Sequence, residues 1–221
     1  MNLEKQKQKI PEKIYTLLEK RGFTELRPSQ IKSIDAGLFN DKNLLVCTPT
    51  ASGKTLVAEL GFLNAVLHDK GKAIYIVPLR ALASEKYKQF KKDYPQLKIG
   101  LSSGDLDSED THLAHADVII ATSEKFDSLL RHKVSWIKQI KTAVIDEIHL
   151  LNDETRGPTL EIIITILKRE LKNIQIIGLS ATIGNPEELA DWLNAELVKD
   201  SWRPVKLKKG VYLDGKIHFK E

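Results

Sequence analysis

Cysteine is almost absent: the 221-residue chain has only Cys47, so no internal disulfide can form and the fold must rest on packing. Cys47 lies inside an apolar run, where a thiol serves as a small core residue, and a cytoplasmic protein is the simplest expectation. Long apolar runs are missing as well. Nothing approaches membrane-spanning length, and the opening Met1-Asn2-Leu3-Glu4-Lys5-Gln6-Lys7-Gln8-Lys9 lacks the apolar centre of an export signal, so no membrane contact is expected. Metal-ligand spacings fail too. His112 and His115 have no Cys or His partners at zinc spacing; Asp105-x-Asp107-x-Glu109 starts like a calcium loop, but Asp110 holds the glycine turn position and the distal Glu is missing. Neither charge dominates, with 34 Lys plus Arg against 30 Asp plus Glu and a net charge of +4. That balance permits phosphate contacts without requiring a nucleic acid, and the short run Lys206-Leu207-Lys208-Lys209 reads as a solvated strand face. With no repeat or low-complexity segment, the length suits one large α/β domain or one with appendages.

What is present is a regular alternation. Short apolar runs without polar interleaving predict buried strands at 44–47, 73–77, 117–121, 142–145 and 174–179, with another about 98–101. Helical patterns predict helices at 10–21, 28–38, 53–68, 81–94, 123–131, 159–171 and 186–194. This is the pattern of a doubly wound, mainly parallel sheet with helices on both faces, which binds ligands at the carboxyl ends of its strands. A helical lead-in is expected over 1–22 and the main domain over 23–200. A closing strand and linker are expected over 201–221, with Leu197-Val198 as a weaker strand signal.

The strand ends carry the chemistry. Leu44 to Cys47 is followed by Thr48-Pro49-Thr50-Ala51-Ser52-Gly53-Lys54-Thr55 and then an apolar helix. In such a strand, loop and helix, backbone N–H groups wrap a phosphate, Lys54 reaches the β/γ oxygens and the Thr55 hydroxyl meets Mg²⁺; the helix N-terminus adds partial positive charge. Thr48 stands where the usual pattern begins with Gly. Ile145-Asp146-Glu147 ends another strand with one carboxylate suited to Mg²⁺ and a second suited to deprotonating an attacking water. An isolated Asp-Glu is more often an acidic turn; the phosphate loop changes that reading.

Asp146-Glu147-Ile148-His149, followed downstream by Ser180-Ala181-Thr182, resembles motifs II and III of superfamily 2 helicases of the DExH kind. Thr48 to Thr55 is similar to their motif I, where the first position is commonly small. Pro28-Ser29-Gln30 resembles the Q-motif region, Pro78-Leu79-Arg80-Ala81-Leu82 motif Ia, and Ala121-Thr122-Ser123-Glu124-Lys125 motif Ib, with Ser123 where Pro is common. With Phe126 to Arg131 and Trp202-Arg203-Pro204-Val205, these strings resemble the archaeal Ski2-like DNA repair helicases called Hjm, over nearly the whole chain.

The resemblance implies a RecA-like P-loop domain that uses ATP and Mg²⁺, with Gln30 reading adenine. Pro78, Arg80, Thr122 and Lys125 would lie along a nucleic-acid backbone, and His149, Ser180 and Thr182 would relay the nucleotide state. The partner would be single-stranded or forked DNA, with RNA as the alternative, and the chain a monomer. In the family a second RecA-like domain supplies the arginine finger, so this chain is expected to be a first motor domain with little turnover of its own. Two readings of other classes stand beside it: a binding module without turnover, and a metabolic P-loop kinase, which gives no reason for Ser-Ala-Thr at a strand end.

Overall fold

Strand β1 (Leu44–Cys47) is buried along its whole length and leads through a six-residue loop into α3 (Lys54–Leu67), whose residues from Leu56 to Ala65 are all buried. The computed structural model describes residues 2–102, 113–205, 208, 210–213 and 215–219. A helix apolar on every side needs cover all round, and α3 has the sheet beneath it with α1 (Glu12–Lys20) and α2 (Pro28–Asp35) against its other faces. Gly61 allows the close approach: a Cβ there would run into the Ile177 side chain of the sheet.

The remaining strands are β2 (Lys72–Val77), β3 (Ile99–Ser102), β4 (Val118–Thr122), β5 (Ile140–Ile145), β6 (Gln175–Ser180) and β7 (Glu196–Lys199). They pair in parallel in the order β3-β4-β2-β5-β6-β1-β7. From β1 the chain steps through α3 to β2, then through α4 (Arg80–Asp93) to the β3 edge. It returns through α5 (Ser123–Arg131), α6 (Gly157–Glu170) and α7 (Pro186–Leu193) to β7 at the far edge. Side chains of successive strand residues alternate between two cores: Leu44, Val46, Tyr75 and Val144 pack with α1 to α4, while Leu45, Cys47, Ile74 and Ile145 pack with α5 to α7. Outward steps over one face and homeward steps over the other are what a constant crossover hand produces. The doubly wound α/β fold expected from the sequence is the one observed.

One expectation about the ends changes. The strand that closes the sheet is β7, in register with β1 from Leu44↔Glu196 to Cys47↔Lys199, and so lies before residue 201. The later stretch holds a separate antiparallel hairpin, β8 (Gly210–Leu213) with β9 (Lys216–Phe219). The polar opening segment is tied in as well: Leu3 is buried, and its N–H donates to Thr24 O at 2.9 Å. The acidic loop at 103–112, with Asp105, Asp107, Glu109, Asp110 and His112, lies outside the described residues, as do Lys206, Leu207 and Lys209.

The first core also contains a polar knot. Glu59 of α3 is buried, yet accepts from Arg21 Nη1 at 2.7 Å and from the Tyr94 hydroxyl, while Arg21 Nη2 reaches Asp93 Oδ2 at 2.7 Å. Arg21 follows α1 and Asp93 ends α4, so one guanidinium joins three helices. Replacing Arg21 with Met should leave the Glu59 charge without its cation, at a cost of about 3 kcal/mol. Urea unfolding measures it; a change within about 0.5 kcal/mol, the ordinary surface range, would show that the knot contributes nothing.

Candidate nucleotide site

Three neighbouring strands, β5, β6 and β1, end on the same rim, and the loops that follow them carry the residues singled out above. The loop after β1 is held closed by its own side chains. Thr48 is fully buried and its Oγ1 lies 2.7 Å from Ser52 Oγ, while Ser52 N–H donates to Pro49 O at 3.2 Å. That bond explains Thr at the loop's first position: the hydroxyl bridges the loop. Pro49 is buried, and Thr50 and Ala51 are exposed at the tip, Ala51 with φ 65°.

Gly53 caps α3 with φ 95°, a conformation in which an added Cβ would also lie 2.5 Å from Gln30 Nε2 and 2.9 Å from Arg27 Cδ. The loop is therefore clasped from outside. Gln30 Nε2 donates to Gly53 O at 3.1 Å, Arg27 Nη1 donates to Ala51 O at 2.6 Å, and Gln30 Oε1 takes the Arg27 N–H at 2.8 Å. Both ends of the Gln30 amide are engaged within the chain, so here it shapes the loop. Nothing in the sequence pattern singled out Arg27, whose guanidinium also sits 5.5 Å from the Trp202 ring centroid.

Lys54 opens α3 and turns its Nζ back to Thr48 O at 2.8 Å. Burial pushes its ammonium below the ordinary lysine range, while Glu147 and Asp146 act in the opposite direction. The cation is thus partly desolvated inside a loop of backbone amides, an arrangement that a polyphosphate would complete. Thr55 follows, with Lys86 of α4 at 3.4 Å from its Oγ1; Lys86 was not anticipated, since its helix pattern reads only as a solvated face.

At the end of β5, Asp146 is fixed on all sides: its N–H donates to Ile76 O at 2.9 Å, its Oδ1 accepts from Glu147 N–H at 3.1 Å and its Oδ2 from the Tyr75 hydroxyl at 2.9 Å. Tyr75 is wholly buried, and burial together with Asp146 holds its phenol well above the ordinary range, keeping it a donor. Glu147 has φ 52°, left-handed backbone in a non-glycine residue, of a kind that concentrates at functional sites. His149 Nδ1 lies 3.3 Å from Glu147 Oε2, within ion-pair distance but outside hydrogen-bonding geometry. Between these loops, Ser180 O accepts from Thr48 N–H at 3.3 Å, and the buried Ser180 Oγ has no hydrogen-bond partner among the described residues. Thr182 is exposed.

The remaining residues gather on two adjacent strand ends, since Val77 of β2 pairs with Thr122 of β4. Pro78 is half-buried, Arg80 exposed at the start of α4, and Lys125 half-buried in the first turn of α5. Thr122 lies between them. It is buried, and its Oγ1 accepts the Lys125 N–H at 3.3 Å as the N-cap of α5.

A comparison with known families follows from this geometry. The profile described as DEAD/DEAH box helicase matches residues 27–189, which contain the loop, the carboxylates and both adjoining strand ends. The chain belongs to the DEAD/DEAH box helicase family. It is 53% identical over 215 residues to the ATP-dependent DNA helicase Hel308 of Pyrococcus horikoshii, a match covering 96% of this chain and 30% of that protein. Hel308 of Methanocaldococcus jannaschii is 55% identical over 216 residues, 94% of this chain and 18% of that one. Among solved structures, a DUF1998 helicase, MrfA, bound to DNA is similar with a TM-score of 0.76 and 28% identity, over 87% of this chain and 30% of that one. The chain thus spans about a third or less of the proteins it matches, and the Ski2-like superfamily 2 resemblance and RecA-like first-domain fold agree with these findings.

The contact at Gly53 is separable from its backbone strain. Gly22 also has positive φ, at 79°, but an added Cβ there meets nothing within 4 Å. Gly22→Ala should therefore cost about 1 kcal/mol from conformation alone, and Gly53→Ala distinctly more because Gln30 and Arg27 must move. Equal shifts in urea midpoint for the two variants would show that the clasp on the loop carries no energy.

Proposed function

We propose that this chain is the ATP-binding motor domain of a Hel308-like DNA helicase, coupling Mg-ATP hydrolysis to movement along single-stranded or forked DNA. The observation that carries the reading is the convergence of Lys54 and Thr55, at the start of α3, with Asp146 and Glu147 at the end of β5 on one rim. Lys54 and the loop amides from Thr48 to Thr55 would hold the phosphates, in a loop whose shape depends on Gly53, where a Cβ would press on the Gln30 and Arg27 side chains that clasp it. Thr55 and Asp146 have the hard oxygen donors that Mg²⁺ prefers. Bound there, the ion would offset charge on the β- and γ-phosphate oxygens. Glu147 would take a proton from water, with His149 Nδ1 3.3 Å from its Oε2, and Ser180, whose carbonyl accepts the Thr48 N–H, would relay the state of the loop to β6. Gln30 would reach adenine only by exchanging one of its bonds within the chain, so its first role in this reading is to shape the phosphate loop. Arg80 and Lys125 would meet the strand's phosphates, contacts that position without reading sequence.

Within this reading, stabilisation of the transition state by an arginine finger comes from a second RecA-like domain, and loss of such a finger lowers P-loop turnover by roughly 10³ to 10⁵. The 221-residue chain should bind ATP in a Mg²⁺-dependent way, hydrolyse it negligibly, and lose the nucleotide on Lys54→Ala. Calorimetry or a fluorescent analogue checks the binding and phosphate release the turnover. Undiminished affinity in Lys54→Ala would move the phosphates elsewhere.

Single-strand binding by this chain should be weak, indifferent to sequence and steeply salt-dependent. Arg80→Ala should lower affinity evenly across sequences and reduce the slope of log affinity against log salt by about 0.7, one phosphate contact's worth. An unchanged slope measured by fluorescence anisotropy would remove Arg80 from the path.

A further inference from the structure

One buried polar group near the proposed metal site belongs to neither the phosphate loop nor the acidic pair. Tyr75 sits in the middle of β2, flanked by Ala73, Ile74, Ile76 and Val77, all buried and apolar. Its ring packs against Phe90, with centroids 5.3 Å apart and planes at 72°. Phenylalanine would satisfy that packing fully and would bring no phenol oxygen needing a partner out of water. The hydroxyl therefore calls for a reason beyond the core.

The sheet register supplies it. Tyr75 is paired with Val144 in β5, and both side chains lie in the core beneath α3. Two residues beyond Val144 comes Asp146, whose side chain falls on the same face by strand alternation. The Tyr75 hydroxyl reaches it directly, donating to Oδ2 at 2.9 Å, while the N–H of Glu147 donates to Oδ1 at 3.1 Å. Each carboxylate oxygen thus has one donor. One donor comes from the turn, which carries Glu147 and its strained backbone; the other comes from a rigid central strand.

We propose that Tyr75 is the positioning residue for Asp146, holding the carboxylate from beneath so that its remaining lone pairs are fixed for Mg²⁺. This rests on the reading of Asp146 as a magnesium-holding group. Outer partners of this kind orient metal-binding side chains, and their loss typically weakens metal affinity by about 10- to 100-fold. Tyr75 would act only on the metal-dependent part of nucleotide binding, because its hydroxyl is bonded to Asp146 and, among the described residues, to neither the loop nor Lys54. The strand that places it runs on to Pro78 and α4, so the carboxylate is referenced to the same strand that presents Arg80.

The test is a titration of a fluorescent ATP analogue onto the 221-residue chain in EDTA and across a series of Mg²⁺ concentrations. The proteins compared are wild type, Tyr75→Phe, Asp146→Ala and the double variant, with the melting midpoint of each recorded without nucleotide. Tyr75→Phe is expected to keep the affinity seen in EDTA, melt within a few degrees of wild type, and need about 10- to 100-fold more Mg²⁺ to reach half of the metal-dependent gain. Asp146→Ala is expected to abolish that gain, and the double variant to be no worse. A Tyr75→Phe protein with the wild-type Mg²⁺ midpoint, where Asp146→Ala has lost its gain, would overturn the role of Tyr75 alone. Retention of the full gain by Asp146→Ala would overturn the magnesium assignment and the Tyr75 proposal with it. Equal losses of affinity in EDTA and in Mg²⁺ for Tyr75→Phe would reduce it to a packing residue.

Discussion

The left-handed turn at Gly53 is the constraint on which the rest of the site depends. It lets the chain leave a fully buried strand and enter a helix buried from Leu56 to Ala65 after a six-residue loop, and that loop has no room for a side chain on the Gln30 side. Because α3 packs against the sheet, α1 and α2, the helix that Lys54 opens is held in position. A partly desolvated ammonium and the helix's positive end then lie at the same loop. The structure meets this concentration of positive character with Asp146 and Glu147 from the end of β5, which draw the Lys54 ammonium back toward its ordinary range.

The alternation of strands and helices was legible because parallel strands buried on both faces leave continuous apolar runs, and the observed strands fall where those runs lie. Their order in space was not, since nothing in a run such as Ala73 to Val77 states which neighbour it will pair with; that follows from crossover hand and from which helix face is apolar. The edge strand β7 gave a weak signal because its residues are partly exposed, and the hairpin at 210–219 gave little because its side chains are exposed on both faces.

In the site, the residues that close the loop by chemistry common to many proteins were readable as a motif. The ones that hold those residues were not. Arg27, Tyr75 and Lys86 come from other elements, at sequence distances where no spacing rule operates, and each looks ordinary in its own segment: a residue before a helix, a tyrosine in a strand, a lysine on a polar face. Thr122 shows an ambiguity of another kind. A polar residue at a strand end can face a ligand or cap the next helix, and the sequence does not say which; the structure commits its hydroxyl to the cap. Gln30 shows a related ambiguity, with its amide turned to the phosphate loop.

The central claim is that the loop from Thr48 to Thr55 is a polyphosphate cradle whose lysine is held in reserve by its own backbone. A crystal structure of this chain with Mg²⁺ and a non-hydrolysable ATP analogue tests it most directly. The account predicts the phosphates within the loop, Lys54 Nζ moved from Thr48 O onto phosphate oxygens, and the ion between Thr55 and Asp146. Nucleotide bound elsewhere, or bound at the loop with Lys54 still on Thr48 O and no ion at Asp146, would contradict it.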